Sequence, residues 1–155
     1  MFHDAFIYML QNEGGYSNDS RDKGGKTKWG ISQRAHPSVD IENLTATEAE
    51  MIYLKEYWNP LYIKIEERLS TRLFDVGVNI GVKKAIRILQ NALNLYFDAD
   101  LKTDGQFGSN TLKSIKENDQ KSIYSMFVFE VSNYYAGLNN ETYLKGWLNR
   151  LYRNV

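Results

Sequence analysis

The chain has 155 residues, the size of one ordinary domain, and at 43% hydrophobic and 14% aromatic it is too rich in core-forming side chains to stay disordered. Nineteen Lys and Arg balance nineteen Asp and Glu, so no net field draws the molecule to nucleic acid or anionic lipid. Without cysteine there is no disulfide scaffold, thiol nucleophile or Cys-type zinc site, and two histidines are too few for a His-rich metal centre. The opening Met1-Phe2-His3-Asp4-Ala5 lacks the basic and apolar regions of a signal peptide, and no apolar run approaches the ~18 residues of a membrane span. These features predict a protein made in the cytoplasm, without stable membrane insertion.

Helical periodicity dominates the chain. Phe2, Ala5, Phe6, Met9 and Leu10 form one apolar stripe, and Gly14-Gly15 supplies a stop. Residues 16–30 lose that period and fill with Asn, Asp, Ser, Gly and Lys, which predicts a long polar loop with room for a small hairpin. Thr45-Ala46-Thr47-Glu48 has capping-box spacing and opens a second helix, ended by Asn59-Pro60. Leu69 to Ile80 is apolar nearly all round and predicts a buried central helix, with Asp75 and Asn79 four apart on one face.

Val82, Ala85, Ile86, Leu89, Leu93 and Tyr96 mark the next amphipathic helix. After a turn at Thr103-Asp104-Gly105, Ser109 is the expected cap of a short helix beginning at Asn110. Ile123, Met126, Phe127, Val131 and Tyr134 give another stripe, in which Glu130 suggests a buried ion pair with an arginine. Leu144, Trp147, Leu148 and Leu151 give the last. The fold class read from this is mainly α: six or seven helices in one compact domain over 1–155, with an irregular or hairpin-containing region after the first helix.

The run Glu13 to Thr27 concentrates polar chemistry. Glu13 closes an apolar helix, where partial burial would raise its pKa and keep it protonated, whereas Asp19 and Asp22 lie on a polar loop that keeps them ionised. A proton-donating carboxyl beside an ionised one is what glycoside hydrolysis requires, and the Thr27 hydroxyl could position water. The same run also fits an ordinary surface turn.

Glu13-Gly14-Gly15-Tyr16, with Asn18-Asp19, Asp22, Gly24-Gly25, Thr27 and Gly30-Ile31, resembles the N-terminal signature of glycoside hydrolase family 108, which includes phage-type N-acetylmuramidases and bacterial proteins labelled secretion activators. The likeness continues through Glu56-Tyr57-Trp58-Asn59-Pro60, Phe74 to Gly81, Leu89-Gln90-Asn91-Ala92-Leu93, Asp104 to Gly108 with Thr111-Leu112, and Gly146 to Arg150. The resemblance implies a lysozyme-like helical fold, with a catalytic part over 1–88 and a peptidoglycan-binding helical part over 89–155 packed onto it. It implies hydrolysis of the β-1,4 bond between N-acetylmuramic acid and N-acetylglucosamine, with Glu13 as the catalytic acid. Asp22, nine positions later, matches a Glu-to-Asp spacing of phage lysozymes, and Asp19 remains its rival. Lys23, Lys28-Trp29 and Ser109 depart from the common pattern, and Trp29 alters the groove expected there.

Tyr16, Trp29 and Trp58 offer aromatic faces for sugar rings, and Asp75 with Asn79 is open between a groove-lining role and structural hydrogen bonding. A calcium loop at Asp98 to Thr111 is rejected, because Lys102 falls at a ligand position and Thr111 stands where the closing Glu belongs. His36, before Pro37, reads as a surface residue. No cofactor or metal is expected; the partner is the peptidoglycan glycan strand, not nucleic acid, and the chain is expected to act as a monomer. Without a signal peptide, action on the wall in the periplasm or outside would follow release by a holin-like or other route. Two other readings stay open: a lytic transglycosylase using Glu13 alone, and a non-catalytic peptidoglycan-binding protein associated with secretion.

Overall fold

The structure, a computed structural model, describes residues 1–12 and 26–155. Glu13, Tyr16, Asp19 and Asp22, and the expected stop at Gly14-Gly15, lie outside the described residues. Among the described residues there are seven α-helices and one two-stranded hairpin, a mainly α architecture with its strand content just after the first helix, as the sequence predicts. No helix among them is long and apolar enough to cross a membrane. By packing, the chain divides into two compact units, Phe2–Trp58 and Asn59–Val155 together with Met1.

In the first unit, α1 (Phe2–Leu10) buries Ala5, Phe6, Tyr8 and Met9. The hairpin pairs β1 (Thr27–Lys28) with antiparallel β2 (Ile31–Ser32), Thr27 opposite Ser32 and Lys28 opposite Ile31. Helix α2 (Ala46–Tyr57) opens with the expected capping box: the Glu48 amide donates to Thr45 Oγ1 at 3.2 Å and the Thr45 amide to Glu48 Oε2 at 2.8 Å. Both orphan amides at the helix start are thereby satisfied. The Thr45 amide and the Thr45 hydroxyl, which donates to Glu48 Oε2 at 2.7 Å, together hold the Glu48 carboxyl below its ordinary pKa.

In the second unit, Asn59 caps a 3₁₀ turn over Pro60–Lys64 by accepting from the Leu61 amide at 2.9 Å. Helix α3 (Glu67–Ile80) is buried without a break from Leu69 to Gly77. It packs on α4 (Val82–Phe97) and, with α4, on α6 (Gln120–Gly137). One residue, Gly81, separates α3 from α4; its φ of +94° is closed to other residues except under strain, so the sharp reversal depends on glycine.

Helix α5 (Ser109–Glu117) differs from expectation at its start. Gly108 is the cap, Ser109 is already helical, and no side chain bonds the first-turn amides. Helix α6 instead has a cap the sequence reading passed over: Asp119 accepts from the Ser122 amide at 2.8 Å. Its buried stripe runs through Ile123, Phe127, Val131 and Tyr135, with Tyr134 one position off it. Glu130 has no arginine partner among the described residues; its carboxylate accepts from the Tyr96 hydroxyl at 2.6 Å. Helix α7 (Glu141–Leu151) closes the chain.

Candidate functional site

Thr27 and Trp29 come from the hairpin, which is short enough that its position must be set from outside. Trp29 and Gly30 form its two-residue turn with φ values of 55° and 77°, the positive pair that a type I′ turn demands. Asn or Asp usually fills the first of these places; a tryptophan there costs roughly 1–2 kcal/mol of backbone strain. Two hydrogen bonds hold it: the indole Nε1–H donates to the Leu44 carbonyl at 3.3 Å, and the Tyr53 hydroxyl donates to the Trp29 carbonyl at 3.1 Å. Lys26 Nζ reaches Glu42 Oε2 at 2.8 Å and Lys28 Nζ the Glu42 carbonyl at 3.0 Å. The hairpin is thus fastened to the 42–44 segment and to α2, and Trp29 remains half-exposed at its tip.

Beside that anchor lies a cleft of about 560 Å³ lined by Val39, Asp40, Leu44, Glu48, Met51 and Ile52, among others. Leu44 joins the two features, since its carbonyl fixes Trp29 and the residue also lines the cleft. Asp40, like Glu48, sits below its ordinary pKa, chiefly because the Asn43 side chain donates to it at 2.8 Å.

Trp58 is only 9% exposed and packs edge-on against Phe2, ring centroids 5.1 Å apart. It forms part of the wall of its unit. His36 is not a free surface residue: its Nε2 lies 3.1 and 3.2 Å from the two Glu56 carboxylate oxygens.

Asp75 and Asn79 belong to the second unit. Asp75 is 1% exposed and meets two guanidinium groups, Arg72 at 3.4 Å and Arg150 at 2.9 Å. Arg72 is fully buried and also donates to the carbonyls of Arg150 and Arg153 at 3.3 and 2.6 Å, so it neutralises the carbonyl-rich end of α7. Of the two roles open to Asp75, the described residues supply partners for the structural one. Asn79 Nδ2 donates to the Tyr135 hydroxyl at 2.6 Å. The sequence reading missed Arg72, although an arginine three residues before an aspartate in an otherwise apolar helix is the spacing of an intrahelical ion pair.

The 98–108 loop carries a second construction the sequence did not announce. Gln90, on α4, donates through Nε2 to Asp104 Oδ1, the Gln106 carbonyl and Thr111 Oγ1, and accepts from the Gly105 amide at 2.9 Å. One turn on, Asn94 exchanges two hydrogen bonds with Leu101 at 2.8 and 2.7 Å. Gly105 is required there twice over, by a φ of +76° and because a Cβ would lie 2.5 Å from Lys83. A small polar cavity of about 170 Å³ opens beside this loop, with Gln90, Lys102, Asp104 and Ser109 in its lining.

Residues 6–81 match the family model described as Glycosyl hydrolase 108, and residues 84–152 match the one described as Predicted Peptidoglycan domain. The fold is similar to that in "Structure of Brucella abortus SagA", with a TM-score of 0.80 and 25% sequence identity over 98% of this chain and 90% of that one. Among curated proteins none matches the chain in sequence.

Proposed function

Because the chain belongs to glycosyl hydrolase family 108, we propose that it hydrolyses the β-1,4 bond between N-acetylmuramic acid and N-acetylglucosamine in peptidoglycan, with Glu13 as general acid. The observation that carries this reading is the pairing, in one chain, of a glycosyl hydrolase segment over 6–81 and a peptidoglycan segment over 84–152. Glu13 protonates the glycosidic oxygen as the bond to the anomeric carbon breaks. Asp22, with Asp19 as its rival, activates water or stabilises the oxocarbenium-like transition state. Thr27 orients that water from β1. Tyr16 and Trp29 offer ring faces to the sugars and Trp58 supports the wall behind them. Asp75 and Asn79 contribute by fixing α3. The chain works as a monomer without a cofactor, on the wall in the periplasm or outside.

Purified protein on isolated sacculi, beside Glu13→Gln, tests this. Gln keeps the shape but cannot donate the proton, so release of muropeptides should fall by about 10² to 10⁴. Product masses should show hydrated reducing ends; 1,6-anhydro ends would make the enzyme a lytic transglycosylase, and equal release by both proteins would remove Glu13 from its role.

A further inference from the structure

The surface of α7 holds an aromatic stack that the fold does not use up. Tyr143 and Trp147, four residues apart, stack with ring centroids 5.9 Å apart and planes 26° from parallel; Trp147 continues onto Tyr135 of α6 at 5.4 Å and the same angle. The ladder runs from inside to outside. Tyr135 is 2% exposed and anchored by Asn79, whereas Tyr143 is 60% exposed. Its ring is therefore backed by a second and third ring and still open to solvent, a rigid flat platform that loses little freedom when something settles on it.

Three further observations say what that something is. Among the described residues, neither the Tyr143 hydroxyl nor the Trp147 indole Nε1–H has a hydrogen-bond partner, so two polar groups wait at the rim of the rings. The residues three and four positions from Tyr143 along the chain are Asn139, Asn140, Gly146 and Trp147, none of them charged. Gly146 lies inside the helix, where glycine costs stability relative to alanine, yet a Cβ built on it would meet nothing within 4 Å. The fold does not require that glycine, which leaves the helix backbone open beside Trp147.

A flat apolar face, uncharged hydrogen-bonding groups at its rim and open backbone beside it complement a pyranose ring. Such a ring presents axial C–H groups on one face and hydroxyl and acetamido groups around its edge. We propose that Tyr143, backed by Trp147 and flanked by Gly146, is a stacking subsite for an N-acetylated sugar of the glycan strand. It rests on the reading that peptidoglycan is the polymer this chain acts on, and it assigns the contact within the 84–152 segment to the sugars, leaving the peptide stems aside.

The test uses full-length Glu13→Gln, so that no cleavage interferes, titrated with the β-1,4 tetrasaccharide of N-acetylglucosamine. The indole ¹H–¹⁵N resonance of Trp147, assigned through Trp147→Phe, should move on titration. Tyr143→Ser should weaken the affinity read from that resonance about tenfold, whereas Tyr143→Phe should stay within about twofold. Because Tyr143 is largely exposed, neither change threatens the fold. An unmoved Trp147 resonance, or equal affinity in all three proteins, would overturn the proposal. So would a dimer in solution that Tyr143→Ser dissolves, which would assign the face to a second copy of the chain. The hydrolase reading fails separately, through unchanged sacculus release in Glu13→Gln, a result this titration does not touch.

Discussion

Asp75 on α3 receives both Nε and Nη2 of Arg150 on α7, at 3.1 and 2.9 Å on the same carboxylate oxygen, seventy-five residues apart in the chain. The other oxygen faces the buried Arg72 at 3.4 Å. Replacing Asp75 with Asn removes the buried carboxylate that faces both guanidinium groups, a loss that costs about 3–5 kcal/mol when a buried pair is broken. Asp75→Asn should lower the urea midpoint accordingly at unchanged m. A loss under about 1 kcal/mol would show the pair to be solvated in practice.

The boundary between the two matched family segments, between residues 81 and 84, does not coincide with the boundary in packing, between Trp58 and Asn59. Helix α3 lies in the first segment but packs on α4 in the second, and Asp75 and Arg150 stand on opposite sides of the divide. A fragment covering 84–152 should therefore fail to fold, showing weak helical circular dichroism and no cooperative melt. A fragment from Asn59 to Val155 should do measurably better. Equal cooperativity in the two would count against the role given to α3.

On the reaction side, Asp22→Asn should lose far more sacculus-cleaving activity than Asp19→Asn at matched stability. In sequence, Asp22 precedes Lys23-Gly24-Gly25, a composition that favours a turn, whereas Asp19 follows Asn18 in a pattern that favours an Asx turn. If the two carboxyls stand ~6.5–9.5 Å apart, the site keeps room for an attacking water between carboxylate and sugar, and the anomeric configuration inverts. The opposite order of losses would transfer the role to Asp19, and NMR of the first-formed anomer would report retention directly.

Asp104 gives a pH-dependent contact. Its carboxylate accepts from the Gln106 amide at 2.8 Å and from Gln90, and these bonds hold it below the ordinary aspartate value of 3.8. A carboxyl with a depressed native pKa stabilises the fold fully above its unfolded value and loses that contribution as pH falls through the native one. The protection factor of the Gln106 amide, its exchange rate corrected for the intrinsic pH dependence, should therefore fall on acidification below 3.8, with no change between neutrality and that point. Asp104→Asn should flatten the dependence; an unaltered profile would place the sensitive group elsewhere.

What the sequence revealed follows how far apart the interacting groups lie. The Thr45–Glu48 box is complete within four residues, and it forms as read. The hairpin could be expected from loss of helical period, but not a tryptophan at its positive-φ turn, because the bonds that hold Trp29 there come from Leu44 and Tyr53, fifteen and twenty-four residues away. Ser109 looked like a cap because it is a capping residue type before an apolar stripe; Gly108 takes the place by backbone geometry alone. Glu130 shows the same limit: a carboxylate on an apolar stripe needs a partner, and pattern alone suggests arginine where the fold supplies the Tyr96 hydroxyl. For Glu13, Tyr16, Asp19 and Asp22 the argument rests on sequence.

The single-glycine joint at Gly81 bears on how such a chain can be recombined. With no spare length between α3 and α4, a chimera spliced there would inherit the direction of α4 from one parent and the surface it must fit from the other. It would also inherit Asp75 from the first parent and Arg150 from the second. Exchange at the apparent family seam would therefore succeed only between parents that both keep this carboxylate and this guanidinium, whereas a crossover near Trp58 would carry the pair across whole. The two halves of the matched pattern are thus bound to travel as one hereditary unit by a charge pair.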